Sequence, residues 1–526
     1  YSYIDNSEIE VIINKIGHSK EIQDLMEDSI DLTNKSKMSN KVKDIIKKKK
    51  ERFEDSLNIS KGLPRFPYPS GAREYQNEAY KNWEKKSYSG IFAMATGTGK
   101  TITSLNCLLN EYKKEKFYKA LILVPSIALL NQWKKEVDQF SFSKVLKVGG
   151  GSNWEKSFAN YVSNTTWGIN EDLVIISTYG SFVTDRFQKY FNKVSKEFTL
   201  IADEAHNMGA NNIKKKLKST IVRKKIGLSA TPKRIYDLEG TDAIDDFFCD
   251  KPPYTYSFSM ERALKEGFLS EYKYFPKIVE LDEFEYEEYI EISKTLLKFF
   301  DFEKGEFKKD PIVEILLLKR KNIIHKAKSK IECFKNILLE LKKDNKLKYV
   351  FTYIPEGYVY LESGESEKIL DKFIHAGAQT VPSLKMNSYT SEDGSLNEIL
   401  RGFSEGKIDV LFAMKMLDEG VDVPRAEVGI FCSSTGNPRQ FIQRRGRLLR
   451  KHPEKEFARI YDMVVIPKLN ASSMDYFNME QNMVKSELRR VAYFASLSMN
   501  FYESRDSLVN VCKKYDLNLD QIIEEL

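Results

Sequence analysis

The chain has 526 residues, enough at ~150 residues per domain for three or four domains, so a single small fold is excluded. Hydrophobic residues make up 41% and charged residues 30%, which excludes a wholly disordered chain. Lys and Arg outnumber Asp and Glu by 83 to 76, a net charge of +7 that permits a nucleic-acid partner without demonstrating one.

Residues 1–62 read as a helical, Lys-rich segment, clearest at KVKDIIKKKKERFEDSL, and better as a solvated linker helix than as a helix following phosphates. The chain opens on Tyr1 rather than Met, so further residues are expected before it. Pro64, Pro67, Pro69 and Gly71 mark a boundary. Across residues 63–255, short apolar runs alternate with longer helical patterns. The runs are Gly90–Ala95, Ala120–Pro125, Leu173–Thr178, Phe198–Asp203 and Lys225–Ala230. That alternation predicts buried parallel strands with loops at their C-terminal ends. Residues 256–340 read as charged and helical, a bridging region. The alternation returns over 341–467, with YVFTYI, DVLFAM, VGIFC and FARIYDMVVI as strands. Residues 468–526 read as helical. Val484, Leu488, Val491 and Ala495 share one face there, and Arg489 and Arg490 lie off it, which predicts a helix packed on a core. The fold class is α/β, with two parallel-sheet domains in tandem. The longest apolar run is broken by Pro125 and Ser126, so no segment spans a bilayer and no membrane partner is expected. Five scattered cysteines with no CxxC argue against a zinc site or a disulfide framework and fit a cytoplasmic location.

Ile91–Thr101, IFAMATGTGKT, is a strand leading into a Gly-rich turn and a helix. Gly97, Thr98 and Gly99 form the turn, whose backbone N–H groups can surround a phosphate. Lys100 supplies a charge to the terminal phosphates, and Thr101 a hydroxyl to Mg²⁺. Met94 stands where the general P-loop pattern has Gly. FTLIADEAH ends an apolar strand with two carboxylates. Asp203 is suited to hold Mg²⁺ opposite Thr101, and Glu204 to act as general base on the attacking water. QFIQRRGRLLRK carries four arginines in seven residues. Arg447 and Arg450, three apart on a helical face, are the candidate arginine fingers, and Gln443 the candidate for orienting the nucleotide or the acidic loop.

Together these segments resemble the superfamily 2 DEAH-type helicases and translocases, most of all the restriction-motor (Res-subunit) group of prokaryotic restriction and phage-defence systems. The resemblance covers roughly residues 63–467. It implies two RecA-like domains, ATP in the cleft between them and DNA across both. In AREYQ it assigns Arg73 or Tyr75 to stacking on adenine and Gln76 to its edge. Ser126 in VPSIALLNQW and Thr178 in ISTYGSF would meet strand phosphates. His206, with Ser229 and Thr231 of GLSATPKR, would couple nucleotide state to closure. Thr352 in VFTYIPEG, and Tyr389 and Thr390 in MNSYTSED, would be second-domain strand contacts. Gly420 and Asp422 of KMLDEGVDVP would touch phosphate or ribose. Residues 256–340 would bridge the motor domains, where Lys319, Arg320, Lys321, Lys326, Lys328 and Lys330 are candidates for following a duplex. A nuclease subunit or upstream nuclease domain is an implied partner. The resemblance favours an ATP-driven DNA motor. An ATP-gated DNA-sensing clamp that licenses a partner nuclease, and an RNA helicase, keep the same motifs.

Overall fold

The computed structural model describes residues 62–234, 237–301, 306–307, 310–360, 366–390, 396–414, 423, 425–433, 445–467 and 474–524. The Lys-rich segment through residue 61, Gly420, Asp422 and Gln443 lie outside these residues.

Helix α1 (Glu74–Lys85) precedes β1 (Ser89–Met94), α2 (Lys100–Glu115), β2 (Lys119–Val124) and α3 (Ile127–Gln139). Strands β3 (Val145–Val148), β4 (Leu173–Thr178), β5 (Thr199–Asp203), β6 (Lys224–Ser229) and β7 (Tyr256–Phe258) complete the first sheet. Its order is β3-β4-β2-β5-β6-β1-β7 and every neighbouring pair is parallel. The five strands expected in this block match β1, β2, β4, β5 and β6 to within a residue or two at each end. Their runs are apolar throughout because both faces are covered, and β2 is buried at every position.

The second sheet begins earlier than its sequence pattern indicates. Residues 256–340 hold β7 and also β8 (Tyr272–Glu280), which pairs along nine residues with the last strand of the second sheet. Helices α4 (Glu283–Leu297), α5 (Pro311–Lys326) and α6 (Ser329–Lys343) follow. Then come β9 (Val350–Tyr353), β10 (Met386–Tyr389), β11 (Val410–Ala413), β12 (Val428–Phe431) and β13 (Ala458–Ile466). The order is β10-β11-β9-β12-β13-β8, again all parallel. Pro276 is tolerated in β8 because an edge strand needs no second row of N–H donors.

The long helix α7 (Met474–Ser496) packs Val484, Leu488, Val491 and Ala495 into the core, as its stripe predicts. Arg490, expected off that stripe, is buried. Its guanidinium lies 3.5 Å from Asp462 of β13 and 2.6 Å from Glu487. Asp462 also pairs with Arg445 at 2.5 Å and accepts from the Tyr274 hydroxyl at 2.6 Å. One apolar core runs from the first sheet through Phe258, Leu269 and Tyr272 to the second sheet and α7. Among the described residues no helix is long and apolar enough to cross a membrane.

The basic tract at 319–330 is not one continuous surface. Arg320 is buried over the rings of Tyr289 and Phe307, and Lys330 is buried with its ammonium donating to the His325 carbonyl at 2.9 Å. Burial pushes Lys330 down to about 8. Lys328 is tied to Asp282 at 2.9 Å. Lys319 and Lys321 remain exposed.

Candidate active site

The first sheet delivers its chemistry at the C-terminal ends of β1, β5 and β6, as parallel sheets do. After β1 the chain turns through Gly97 at φ +86° and Gly99 at φ +80°, conformations that a side chain would strain. Thr98 is buried. Its hydroxyl donates to the Ala95 carbonyl at 2.7 Å, and its own carbonyl accepts from the Tyr75 hydroxyl at 2.6 Å. Tyr75 is therefore a brace under the loop and not a face for adenine. Its ring is 2% exposed and stacks on Phe258 at 4.5 Å.

Arg73 is exposed, with its guanidinium 4.9 Å from the ring centre of Phe268. Phe268, which the sequence did not single out, thus joins Arg73 as a candidate platform for a base. Gln76 is buried. It accepts from the Arg73 N–H at 2.9 Å and keeps its amide nitrogen beside Gly99.

Lys100 opens α2 and is half-buried, its ammonium donating to the Met94 carbonyl at 3.3 Å. Burial pulls its pKa down. Glu204 and Asp203 oppose that shift, and Arg450 and Arg447 add to it. Thr101 is half-buried in the same first turn. Asp203 ends β5. Its Oδ2 accepts from the Trp133 indole at 2.8 Å and its Oδ1 from the Glu204 N–H at 3.0 Å. Burial, then the neighbouring Glu204, push its carboxyl up to about 6. The Asp203 carboxylate at the end of β5 and the Thr101 hydroxyl in the first turn of α2 are hard-oxygen donors, the kind that suits a divalent cation of the Mg²⁺ type.

Glu204 sits in the left-handed region at φ +47°. Its Oε2 lies 3.3 Å from His206 Nδ1, and that nitrogen lies 3.5 Å from the buried Ser229 hydroxyl. The Ser229 hydroxyl in turn accepts from the Thr231 N–H at 3.2 Å. Arg234 donates to the His206 carbonyl at 2.6 Å. The three residues expected to couple nucleotide state to closure thus form a chain that starts at the candidate base.

The second domain reaches this loop through a helical turn at 445–448. A Cβ on Gly446 would stand 2.8 Å from Thr96 Cβ, and one on Gly97 would stand 3.4 Å from Arg450 Cγ. Ser270 donates to the Leu449 carbonyl at 2.7 Å and to the Arg450 carbonyl at 3.2 Å. Arg447 and Arg450 are both half-buried, and Arg450 lies just past the helical turn. Arg445 faces the opposite way, 1% exposed and paired with Asp462, so it serves the domain interior.

Ser126 caps α3, accepting from the Leu129 N–H at 3.4 Å, and Thr178 caps the turn after β4, accepting from the Ser181 N–H at 3.2 Å. Both are half-buried at neighbouring strand ends. Between them lies Gly149–Gly151, whose first residue packs on Thr178 and whose second packs on Ile127. Three glycines straight after a strand were the missed signal. Thr352, Tyr389 and Thr390 do not fit as strand contacts in this arrangement. Thr352 is 0% exposed inside β9, and Tyr389 and Thr390 are 4% and 8% exposed.

A model of the Type III restriction enzyme res subunit matches residues 70–234, and one of the helicase conserved C-terminal domain matches residues 329–452. The chain is 29% identical over 395 residues to the DNA 3'-5' translocase XPB2 of Sulfurisphaera tokodaii, covering 72% of this chain and 78% of that one. It is 29% identical over 191 residues to a subunit of the Type I restriction enzyme EcoAI endonuclease of Escherichia coli, covering 35% of this chain and 21% of that one. The solved structure of the ATP-dependent Type ISP restriction-modification enzyme LlaBIII bound to DNA superposes with a TM-score of 0.53 at 19% identity. That match covers 80% of this chain and 30% of that one, and it is a likeness of fold. With a res-subunit domain ahead of a helicase C-terminal domain, the chain is a homologue of the superfamily 2 DNA helicases and translocases.

Proposed function

We propose that the chain is an ATP-dependent DNA translocase whose hydrolytic centre joins Lys100, Thr101, Asp203 and Glu204 to Arg447 and Arg450. The observation that carries this reading is the approach of the 445–450 segment to the phosphate loop, with Gly446 against Thr96 and Arg450 against Gly97. Loop N–H groups and Lys100 bind the phosphates. Glu204 accepts the proton of the attacking water as that oxygen bonds to the γ-phosphorus and the bond to the β-phosphate oxygen breaks. Mg²⁺, held by Thr101 and Asp203, would neutralise charge on the phosphate oxygens. Arg447 and Arg450 stabilise charge on the transferring group from the other domain.

Both domains then share one ligand, so binding draws them together and hydrolysis releases them. DNA lies over the ends of β2, β3 and β4, where Ser126, Gly149–Gly151 and Thr178 gather. Such contacts are to phosphates, so binding is largely independent of sequence and weakens steeply with salt. Movement is 3'→5', as the name of the Sulfurisphaera tokodaii translocase states for that protein. The setting is a cytoplasmic restriction or antiphage system with a nuclease as partner subunit or attached domain.

The test is ATP hydrolysis with Mg²⁺, alone and with single-stranded DNA, duplex DNA or RNA, with Lys100→Ala as the blank. Stimulation by DNA and not RNA supports the reading, and 3'→5' displacement of a blocking protein establishes movement. Stimulation by RNA overturns the substrate. DNA-stimulated hydrolysis without movement points to the gated clamp.

A further inference from the structure

Trp133 lies two turns into α3 and is 1% exposed. Its indole N–H points at Asp203 Oδ2 at 2.8 Å, while the Glu204 N–H holds Oδ1 at 3.0 Å. Each oxygen of the carboxylate is therefore fixed by one donor, and each keeps a second lone pair for another partner. The two donors differ in kind. One belongs to the same loop as Asp203 and moves with it. The other comes from a helix seventy residues away in sequence and sets the carboxylate plane from outside the loop. An indole is suited to this work because it only donates, never titrates and has a direction set by its packed ring. Tyr179 adds a third hold, its hydroxyl donating to the Asp203 carbonyl at 2.8 Å.

We propose that Trp133 is a positioning residue of the nucleotide centre, orienting the Asp203 carboxylate for its divalent metal. The inference rests on the ATPase reading above and deepens it. Partners that orient a metal-binding carboxylate change metal affinity by roughly 10- to 100-fold when removed. A tryptophan used only for packing would instead weaken nucleotide binding with and without metal alike.

The experiment measures ADP binding by calorimetry on the full chain, with EDTA and across a Mg²⁺ titration, for wild type and Trp133→Phe. The expected result is metal-free ADP affinity within about twofold of wild type, with the Mg²⁺ midpoint raised roughly tenfold. The Mg²⁺ concentration for half-maximal ATP hydrolysis rises with it, and excess Mg²⁺ restores most of kcat. An unchanged Mg²⁺ midpoint overturns the inference, as does an equal loss of metal-free affinity. Replacing Trp133 by benzothienylalanine, which keeps the ring shape and puts sulfur in place of N–H, covers a Phe variant that fails to fold. A wild-type midpoint in that protein also overturns the inference. If wild type neither binds Mg²⁺–ADP nor hydrolyses ATP, the ATPase reading itself falls and this inference falls with it.

Discussion

Glu204 combines a sparsely populated backbone conformation with a side chain that touches His206. A non-glycine residue at φ +47° costs of order 1 kcal/mol or more and persists where surrounding structure demands it. Here the demand comes from both sides, because the Glu204 N–H holds Asp203 and the Glu204 carbonyl accepts from the Asn207 N–H at 2.9 Å. Glu204→Gln keeps the shape and removes the base. ATP and DNA binding should persist in that variant while turnover falls by about 10²- to 10⁴-fold. Normal DNA-stimulated turnover would remove Glu204 from the mechanism. Asp203 makes a second prediction, with the opposite sign to an ordinary surface carboxylate. Its folded pKa, about 6, is above its usual value of 3.8, so the metal-free fold favours the protonated form. That preference costs stability progressively as pH rises from 3.8 to about 6, and the full cost is present above about 6. Asp203→Asn should therefore raise the melting temperature of the metal-free protein at pH 8, with the gain shrinking as pH falls from about 6 towards 3.8. Melting curves at pH 8 and at about pH 4, with EDTA present, decide it. A gain that grows towards low pH would contradict it.

The element scale is where sequence reading and structure part. Strands buried on both faces announce themselves as apolar runs, so β1, β2, β4, β5 and β6 were legible, and with them the loops that carry Lys100, Asp203 and Ser229. Strands that are short or lie at an edge do not. β7 has three residues, β3 is largely half-exposed, and β8 alternates Tyr272 and Tyr274 with polar or partly covered neighbours, so a charged, helix-rich context hid it. The arginines were legible as a cluster but not individually. Nothing in QRRGRLLR says that Arg445 turns inward to Asp462 while Arg450 stays by the phosphate loop. Buried Tyr75, Thr352 and Tyr389 escaped for the same reason, since exposure is a property of the neighbours. Gly446 shows what such a neighbour demands. A Cβ there would stand 2.8 Å from Thr96 Cβ, closer than two carbons can approach. Gly446→Ala should push the 445–450 turn off the phosphate loop. The expected result is nucleotide affinity within a few-fold of wild type and loss of most DNA-stimulated hydrolysis. Stimulated hydrolysis at the wild-type level would mean that this close approach is not used in turnover.

Across the whole molecule, two parallel sheets share one apolar core and meet again at the nucleotide loop. The second domain must then hold its arginines rigidly enough to act on a ligand bound mainly by the first. The buried cluster of Arg445, Asp462, Arg490 and Tyr274 supplies that rigidity, because it ties the 445–448 turn, β13, β8 and α7 at one point. Its charges are nearly balanced. Arg445 and Arg490 face Asp462, and Glu487 takes the second guanidinium nitrogen of Arg490. Removing one partner of a buried ion pair leaves the others uncompensated, at a cost of about 3–5 kcal/mol. Arg490→Met should therefore lower stability to urea by about 3 kcal/mol. Arg489 is the control that sequence position provides. It is the adjacent residue on α7, it is exposed, and Arg489→Met should cost no more than about 0.5 kcal/mol. The two variants remove the same charge from the same helix turn. A difference between them measures the buried network and not the net charge or the propensity of α7. Equal effects would show that α7 is held by its apolar stripe alone.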